Sequence, residues 1–326
     1  MTETVILAHG DTDGVTAAAI VKAALGEGEV YFTHPIGLLG DFKNYTRDAE
    51  IIVILDISLD ERSLPALLSE FRNHRGVIIY IDHHPLSTSF QFEYSQLEVV
   101  HEESSCTAEL AFRRFRLNWE MSRVALYGAI GDYSLNTQWV QDALSRWDIR
   151  TLFMEAGILI LALDRIGRNY EVKRGLVDEL SKNKLPSSIH GIINLALEQS
   201  KTNEEMRKNL PDLVQTGEYL AYVINPPGSV GLAAFYAAVI KDKPIGLAVE
   251  ERRGMYIGSL RSRDPRVDLN SLMRGLAPKF NGSGGGHRQA AGFRIPMENL
   301  APFLSALEQT IRSAFSVNTS FSIENI

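Results

Sequence analysis

Residues Tyr80-Ile81-Asp82-His83-His84-Pro85 close an apolar, β-branched run that begins at Val77. A run of that length reads as a buried strand. It delivers one acid and two imidazoles into a loop, where a rigid scaffold displays its chemistry. Imidazole is the commonest metal ligand, and a neighbouring carboxylate can fix which ring nitrogen is available. Paired histidines at a strand end are nevertheless more often solvated or hydrogen-bonded than metal-binding. Their meaning depends on whether other strands deliver matching ligands.

Working outward, strand-like runs recur at residues 5–8, 30–33 and 51–55, with helical patterns over 16–25 and 64–74. This alternation implies a mostly parallel sheet with helices on both faces. In such sheets ligands bind beyond the carboxyl ends of the strands. His9-Gly10-Asp11-Thr12-Asp13-Gly14 follows the first run, Asp56 follows the third, and the apolar stretch 124–130 leads into Gly131-Asp132-Tyr133. Four segments therefore finish with Asp or His at one expected sheet edge. Singly, Asp13 could cap a helix and Asp56 could open a turn. Together, so many carboxylates without a cation would repel strongly, and a polynuclear metal site is the economical reading. A mixed oxygen and nitrogen set without thiolate favours Mn²⁺ or Mg²⁺ over structural zinc. Paired metals are a recurrent device for phosphate-ester hydrolysis.

The chain of 326 residues suggests two domains. A hydrophobic share of 45% with 22% charged residues is that of a soluble globular protein. A lone cysteine, Cys106, excludes an internal disulfide. With no apolar run of membrane-spanning length, it points to a cytoplasmic setting. Net charge is −7, but residues 241–294 carry eleven Lys and Arg against five Asp and Glu, a surplus of +6 that leaves −13 for the remainder. An acidic body with a basic C-terminal segment suits a metal site in one domain and an anionic ligand held by the other; a solvated charged surface is the plainer alternative.

Further along, Ser104, Ser105 and Thr107 offer caps for a helix over 108–117 whose N-terminus could hold phosphate, although plain capping is the simpler job. Helical patterns fill 155–200, and residues 198–212 read as a linker helix. The expected division is 1–197 for a catalytic domain and 213–326 for a smaller α/β domain, with the active-site cleft between them. Strands are expected at 219–224, 245–249, 255–260 and 290–295, and helices at 232–240, 269–276 and 300–315. The run Gly282-Ser283-Gly284-Gly285-Gly286-His287-Arg288 reads as a glycine-dense loop whose N–H groups can approach an anion. His287 and Arg288 would add donors, and Arg261 and Arg263 could supply further phosphate contacts.

HGDTDG, the isolated Asp56, the triplet Asp82-His83-His84, and Asp132 in GAIGDY resemble the four motifs of the DHH phosphoesterase superfamily. GSGGGHRQAAGF resembles the glycine-rich motif of the DHH-associated domain. The resemblance implies two ions, usually Mn²⁺, with Mg²⁺ or Co²⁺ as substitutes. His9, Asp11 and Asp56 would hold the first; Asp13, Asp56, His83 and Asp132 the second, with Asp56 bridging. It implies that His84 contacts the scissile phosphate or assists proton transfer, and that Asp82 orients the histidines. It also implies that His287 with the glycine run (Gly284, Gly285, Gly286) binds substrate phosphate.

The first motif has the short form HxDxDG rather than HxNPDxD, which looks more like RecJ-type exonucleases, especially short archaeal relatives. The expected activity is exonucleolytic hydrolysis of single-stranded DNA or RNA. The alternative is a phosphodiesterase or phosphatase of very short substrates: nanoRNA, linear or cyclic dinucleotides, or a nucleotide 3′-phosphate. A catalytically dead scaffold is a third class, disfavoured because every expected ligand is present. Docking to a replication or repair partner is also an expectation.

Overall fold

Strands and helices alternate through the first half of the chain, in the order β1 (Thr4–His9), α1 (Thr12–Leu25), β2 (Glu29–Thr33), α2 (Leu38–Tyr45), β3 (Ile51–Leu55), α3 (Leu64–Asn73), β4 (Val77–Asp82) and β5 (Leu97–His101). The computed structural model describes residues 4–86 and 94–320, the last five as backbone alone. It divides into two compact units, Met1–Gln199 and Ser200–Ile326.

In the first unit the strands form one parallel sheet ordered β2-β1-β3-β4-β5. Both faces are buried, so successive residues feed different cores. Ile6, Ala8, Val53, Leu55, Ile79 and Ile81 join one cluster. Val5, Leu7, Ile52, Ile54, Ile78 and Tyr80 join the other, with Phe42 and Phe71 from α2 and α3. Strand order reverses between β1 and β3, and a crevice at such a switch point is where ligands bind in this topology.

A helical run completes the unit: α4 (Thr107–Phe115), α5 (Ser122–Gly131), α6 (Gln138–Leu144), α7 (Ile149–Ile166), α8 (Tyr170–Ser181) and α9 (Ile192–Asn209). Ala-rich α1 packs among α4, α5 and α8 and is buried over most of its length. The boundary between the units falls inside α9, which is continuous from Ile192, so residues 198–209 are its second half rather than a separate linker helix.

The second unit contains β6 (Gln215–Thr216), β7 (Leu220–Ile224), α10 (Val230–Ile240), β8 (Ile245–Arg252), β9 (Met255–Ser262), α11 (Leu269–Leu276), β10 (Ser283–Gly286), β11 (Ala290–Pro296) and α12 (Leu300–Ser320). Its sheet runs β10-β11-β9-β8-β7-β6 and is antiparallel except for the β7–β8 pair. Alanines of α10 cover one face; Met273 of α11 and Phe303, Leu307 and Ile311 of α12 cover the other.

Two sequence expectations need correction. The stretch 124–130 lies within a helix, α5, not a strand: a short, continuous apolar run does not distinguish a buried strand from a buried helix, and here Val124–Ala129 is buried. The glycine run is not a loop, because residues 283–286 pair with β11 as an edge strand. Glycine serves packing there, since a Cβ on Gly284 would lie 3.1 Å from Met273 Cβ. Edge strand β5 and helix α2 were not anticipated; β5 is short and has only three apolar residues.

Candidate metal centre

The carboxyl ends of β1, β3 and β4 converge with the C-terminus of α5, and each end is shaped by a local device. After β1 the chain turns into α1, whose N-cap is Asp11; its Oδ1 accepts from Gly14 N at 3.0 Å. Gly14 is required for this approach, because a Cβ there would lie 2.3 Å from His9 O. Asp56 follows β3 in the left-handed region at φ +59°, a conformation Asp tolerates better than most residues. Asp132 is the C-cap of α5, and Ser134 Oγ donates to its Oδ2 at 3.2 Å. The fourth acid is thus supplied by a helix end.

Asp13 sits at the N-terminus of α4, where Thr107 N donates to Oδ2 at 2.7 Å and Ala108 N to Oδ1 at 2.9 Å. The capping segment therefore binds a carboxylate of the protein itself, with the helix dipole in support. Gly128 of α5 makes room: a Cβ there would lie 2.6 Å from Ala108 Cβ and 2.8 Å from Asp13 Oδ1.

Two groups of donors form around Asp56. His9, Asp11 and Asp56 can present ligand atoms all within 4.8 Å of one another, and so can Asp13, His83 and Asp132. Asp56 faces both groups with different oxygens: Oδ2 lies 3.6 Å from His9 Nδ1, and Oδ1 lies 3.4 Å from His83 Nε2. His83 Nε2 is also 3.5 Å from Asp132 Oδ2 and 3.8 Å from Asp13 Oδ2. Asp82 is engaged elsewhere: its Oδ2 accepts from Tyr80 OH at 2.7 Å and its Oδ1 pairs with His84 Nδ1 at 2.8 Å. Tyr80 OH also reaches Ile57 O at 2.9 Å, tying this pair to the turn after Asp56.

The electrostatics are those of a cluster that retains protons. Burial works to lower His83, but Asp56, Asp13 and Asp132 outweigh it and push the imidazole up to about 11. His9 is raised well above its ordinary value by Asp11 and Asp56, against burial. Burial, then the charge of Asp56, raises Asp13 well above the ordinary carboxylate range, against the pull of His83. Burial first, with Asp56 and Asp11 adding to it, brings Asp132 up to about 6. His84 is raised by Asp82 against burial, and Asp82 is lowered by His84 despite its own burial.

These residues fit divalent cations. Asp56 Oδ2 is buried and has no hydrogen-bond partner among the described residues, an arrangement that is costly unless a cation or proton is nearby. The donors are carboxylates and imidazoles. Cys106 does not join them: it is buried, burial pushes its thiol up, and its Sγ accepts from Glu109 N within the α4 cap.

One residue escaped the sequence reading. Lys173 of α8 is only 5% exposed, and its ammonium donates to the carbonyl of Gly10, between His9 and Asp11. Burial lowers its pKa, while Asp11 and Asp164 work to keep the proton on. It pins the loop that presents two of the donors. Its only sequence signal is a lysine at a position that the apolar periodicity of α8 buries beside Leu176, Val177 and Leu180.

In the second unit, Gly284, Gly285 and Gly286 lie on edge strand β10, and His287 and Arg288 occupy the hairpin turn, where His287 N donates to Ala290 O at 2.7 Å. Gly286 N is taken by Asn270 Oδ1 at 3.1 Å, and Arg288 Nη2 donates to Pro265 O at 3.2 Å. Arg261 Nη1 donates to Ser259 Oγ at 2.7 Å and to Leu260 O at 2.9 Å. Arg263 pairs with Asp242 at 3.1 Å. Nη1 of each arginine thus bonds within its own unit.

Comparison with known proteins accords with this geometry. Residues 3–132 match the DHH family N-terminal domain and residues 218–313 the DHHA1 domain; Lys173 lies outside both matches. No curated protein matches the chain. Among solved structures, RecJ from Thermus thermophilus in complex with Mn²⁺ superposes with a TM-score of 0.67 at 18% identity, over 94% of this chain and 52% of that one. The chain thus spans about half the length of that protein. A pGpG-specific phosphodiesterase from Vibrio cholerae superposes at 0.58 with 14% identity, over 96% of this chain and 99% of that one. An exopolyphosphatase-related protein from Bacteroides fragilis gives 0.57 at 16% identity, over 96% and 94%. At such identities the likeness is one of fold. Among the described residues no helix is long and apolar enough to cross a membrane. With both matches in sequence order, the chain pairs a DHH family N-terminal domain with a DHHA1 domain, and the donor groups gathered in the first fit divalent cations.

Proposed function

We propose that the protein is a two-metal phosphodiesterase that removes nucleotides exonucleolytically from single-stranded DNA or RNA, with Mn²⁺ as its working metal. The observation that carries this reading is Asp56, whose two oxygens face two separate donor groups. His9, Asp11 and Asp56 would hold one ion; Asp13, His83 and Asp132, with Asp56, the other. When bound, such a pair supplies an activated water and neutralises charge on the phosphoryl group.

The remaining roles fall to the chain's own side chains. Asp82, held by Tyr80, fixes the tautomer and orientation of His84 through Nδ1. Chemistry at His84 then runs through Nε2, which would donate to a phosphate oxygen or deliver a proton to the leaving group. In the second unit, Gly284–Gly286, His287 and Arg288 would bind phosphate; Arg261 and Arg263 would contribute through donors other than Nη1, which bonds to Ser259 and Leu260 in one and to Asp242 in the other.

A second reading, cleavage of very short substrates such as linear dinucleotides, has one specific support. The pGpG-specific enzyme shares this fold over 96% of the chain. The two readings differ in how many phosphates are held, and only a long grip gives steep salt dependence. Turnover of an end-labelled 30-mer and of pGpG, at matched concentration in Mn²⁺ and across a salt series, separates them. Cleavage of the dinucleotide alone would reject the exonuclease reading. Absence of hydrolysis of either substrate in Mn²⁺ and Mg²⁺ would reject both.

A further inference from the structure

On the flank of the first unit, between edge strand β5 and the second half of α4, lies a cavity of about 800 Å³. Arg113, Arg114, Arg116 and Glu102 line it; Glu98 and Glu109 pair with Arg114 and Arg113 from beside it, which leaves Arg116 as its unneutralised charge among the described residues. Val100, Leu110 and Phe115 form an apolar wall. The hollow is open to solvent, so a ligand there would be held from one side.

The arginines are held in different ways. Arg114 lies against Glu98 through two nitrogens, Nη2 at 2.7 Å from Oε2, with its guanidinium 5.5 Å from the Phe115 ring centroid. Arg113 Nη1 reaches Glu102 at 3.0 Å and Glu109 at 3.1 Å. Arg116 is the left-handed C-cap of α4 at φ +50°, is exposed, and has no ion pair among the described residues. Planar guanidinium groups beside an apolar wall recognise a phosphate attached to a flat, weakly polar body. The cavity also touches the catalytic segment, because His101 in its lining bonds through Nε2 to the His84 carbonyl at 2.7 Å.

We propose that this cavity is a nucleotide site separate from the metal centre, binding a nucleoside monophosphate with its phosphate on Arg116 and Arg113 and its base against Phe115, Val100 and Leu110. The same chemistry could come from a free mononucleotide or from the terminal nucleotide of a strand. His101 gives the bound nucleotide a direct route to the backbone of His84. The proposal rests on this cavity alone and is independent of the catalytic reading.

The test is AMP binding, by calorimetry, to full-length protein kept metal-free with EDTA and to the Asp56→Asn variant. Both should bind one AMP, with adenosine at least tenfold weaker. Arg116→Asn, chosen because asparagine accepts the left-handed conformation, and Arg113→Gln should each weaken AMP at least tenfold with the far-ultraviolet circular dichroism unchanged; Arg116→Asn should leave Tm unchanged as well, whereas Arg113→Gln should lower it by uncovering the buried Glu109. Loss of AMP binding in Asp56→Asn, equal affinity for adenosine, or unchanged affinity in both arginine variants would each overturn the proposal. Displacement of AMP by a 5′-phosphorylated decamer would support the site and assign it to a strand terminus; AMP binding that the decamer leaves intact would support it as a site for the free mononucleotide.

Discussion

Asp56→Asn is the most direct probe of the paired donor groups. Asparagine is nearly isosteric, tolerates φ +59°, and keeps an oxygen to accept the Thr107 hydroxyl at 3.4 Å. What is lost is one charge between two donor groups. In the metal-free protein that charge is attracted by His83 at 3.4 Å and repelled by the acids around it. A pair of charges at about 4 Å is worth about 4 kcal/mol at an effective dielectric of 20. Attraction and repulsion therefore largely offset, and the metal-free Tm should move by no more than about 3 °C, or about 1 kcal/mol. With metal the outcome differs. Mn²⁺ at a hundredfold excess over Kd stabilises by about 2.7 kcal/mol, about 5–10 °C for a unit of this size. The variant should lose most of that increment. Its kcat should fall by about 10³ or more, corresponding to about 4 kcal/mol of transition-state stabilisation. Thermal denaturation with and without Mn²⁺, metal-binding calorimetry and turnover of an oligonucleotide give the three readouts. A variant that binds two ions with wild-type affinity and retains kcat within tenfold would refute the shared-carboxylate assignment.

Other expectations follow from the same geometry. Lys173→Met should fold but bind Mn²⁺ about 10–100-fold more weakly, because supporting partners of ligands contribute on that scale; unchanged affinity by calorimetry would remove Lys173 from the site. Gly128→Ala should destabilise by about 1–3 kcal/mol through overpacking and weaken metal binding as well, since the new methyl meets Asp13; a Tm within about 2 °C of wild type with full activity would contradict it. His83, His9, Asp13 and Asp132 all have folded pKa values above their unfolded ones, so the stability they contribute is present at low pH and lost as pH rises through the folded values. Asp82 and Asp11 are depressed, so their contribution is lost only as pH falls through their folded values. Metal displaces the retained protons; the Tm increment from Mn²⁺ should therefore widen between about pH 5.5 and 8, and a constant or shrinking increment would argue against proton release. His287→Ala should raise KM with little change in kcat; steady-state kinetics with both parameters unchanged would take His287 out of substrate binding.

Much of the site was legible locally. Strand ends are marked by where β-branched runs stop, and Asp or His immediately beyond them is a one-dimensional signal. That exposed His9, Asp11, Asp56, Asp82, His83 and His84 as residues sharing a sheet edge. Asp132 was picked for the right neighbourhood from the wrong element, because an apolar run of seven residues suits a strand and a buried helix alike. The glycine run was misread for a related reason: glycine density signals freedom from Cβ contacts, whether the close neighbour is an anion or a packed helix such as α11.

By itself the sequence determined the inventory of donors, the alternation that makes a parallel sheet, and the edge at which the donors emerge, since these depend on residue type and local spacing. Only the tertiary structure decided how the donors are used. It set Asp13 against the α4 N-terminus 94 residues away, placed Lys173 on a carbonyl 163 residues away, and turned the two oxygens of Asp56 toward different groups. Those choices follow from packing between distant segments and from the charge balance of a buried cluster, which no local pattern records.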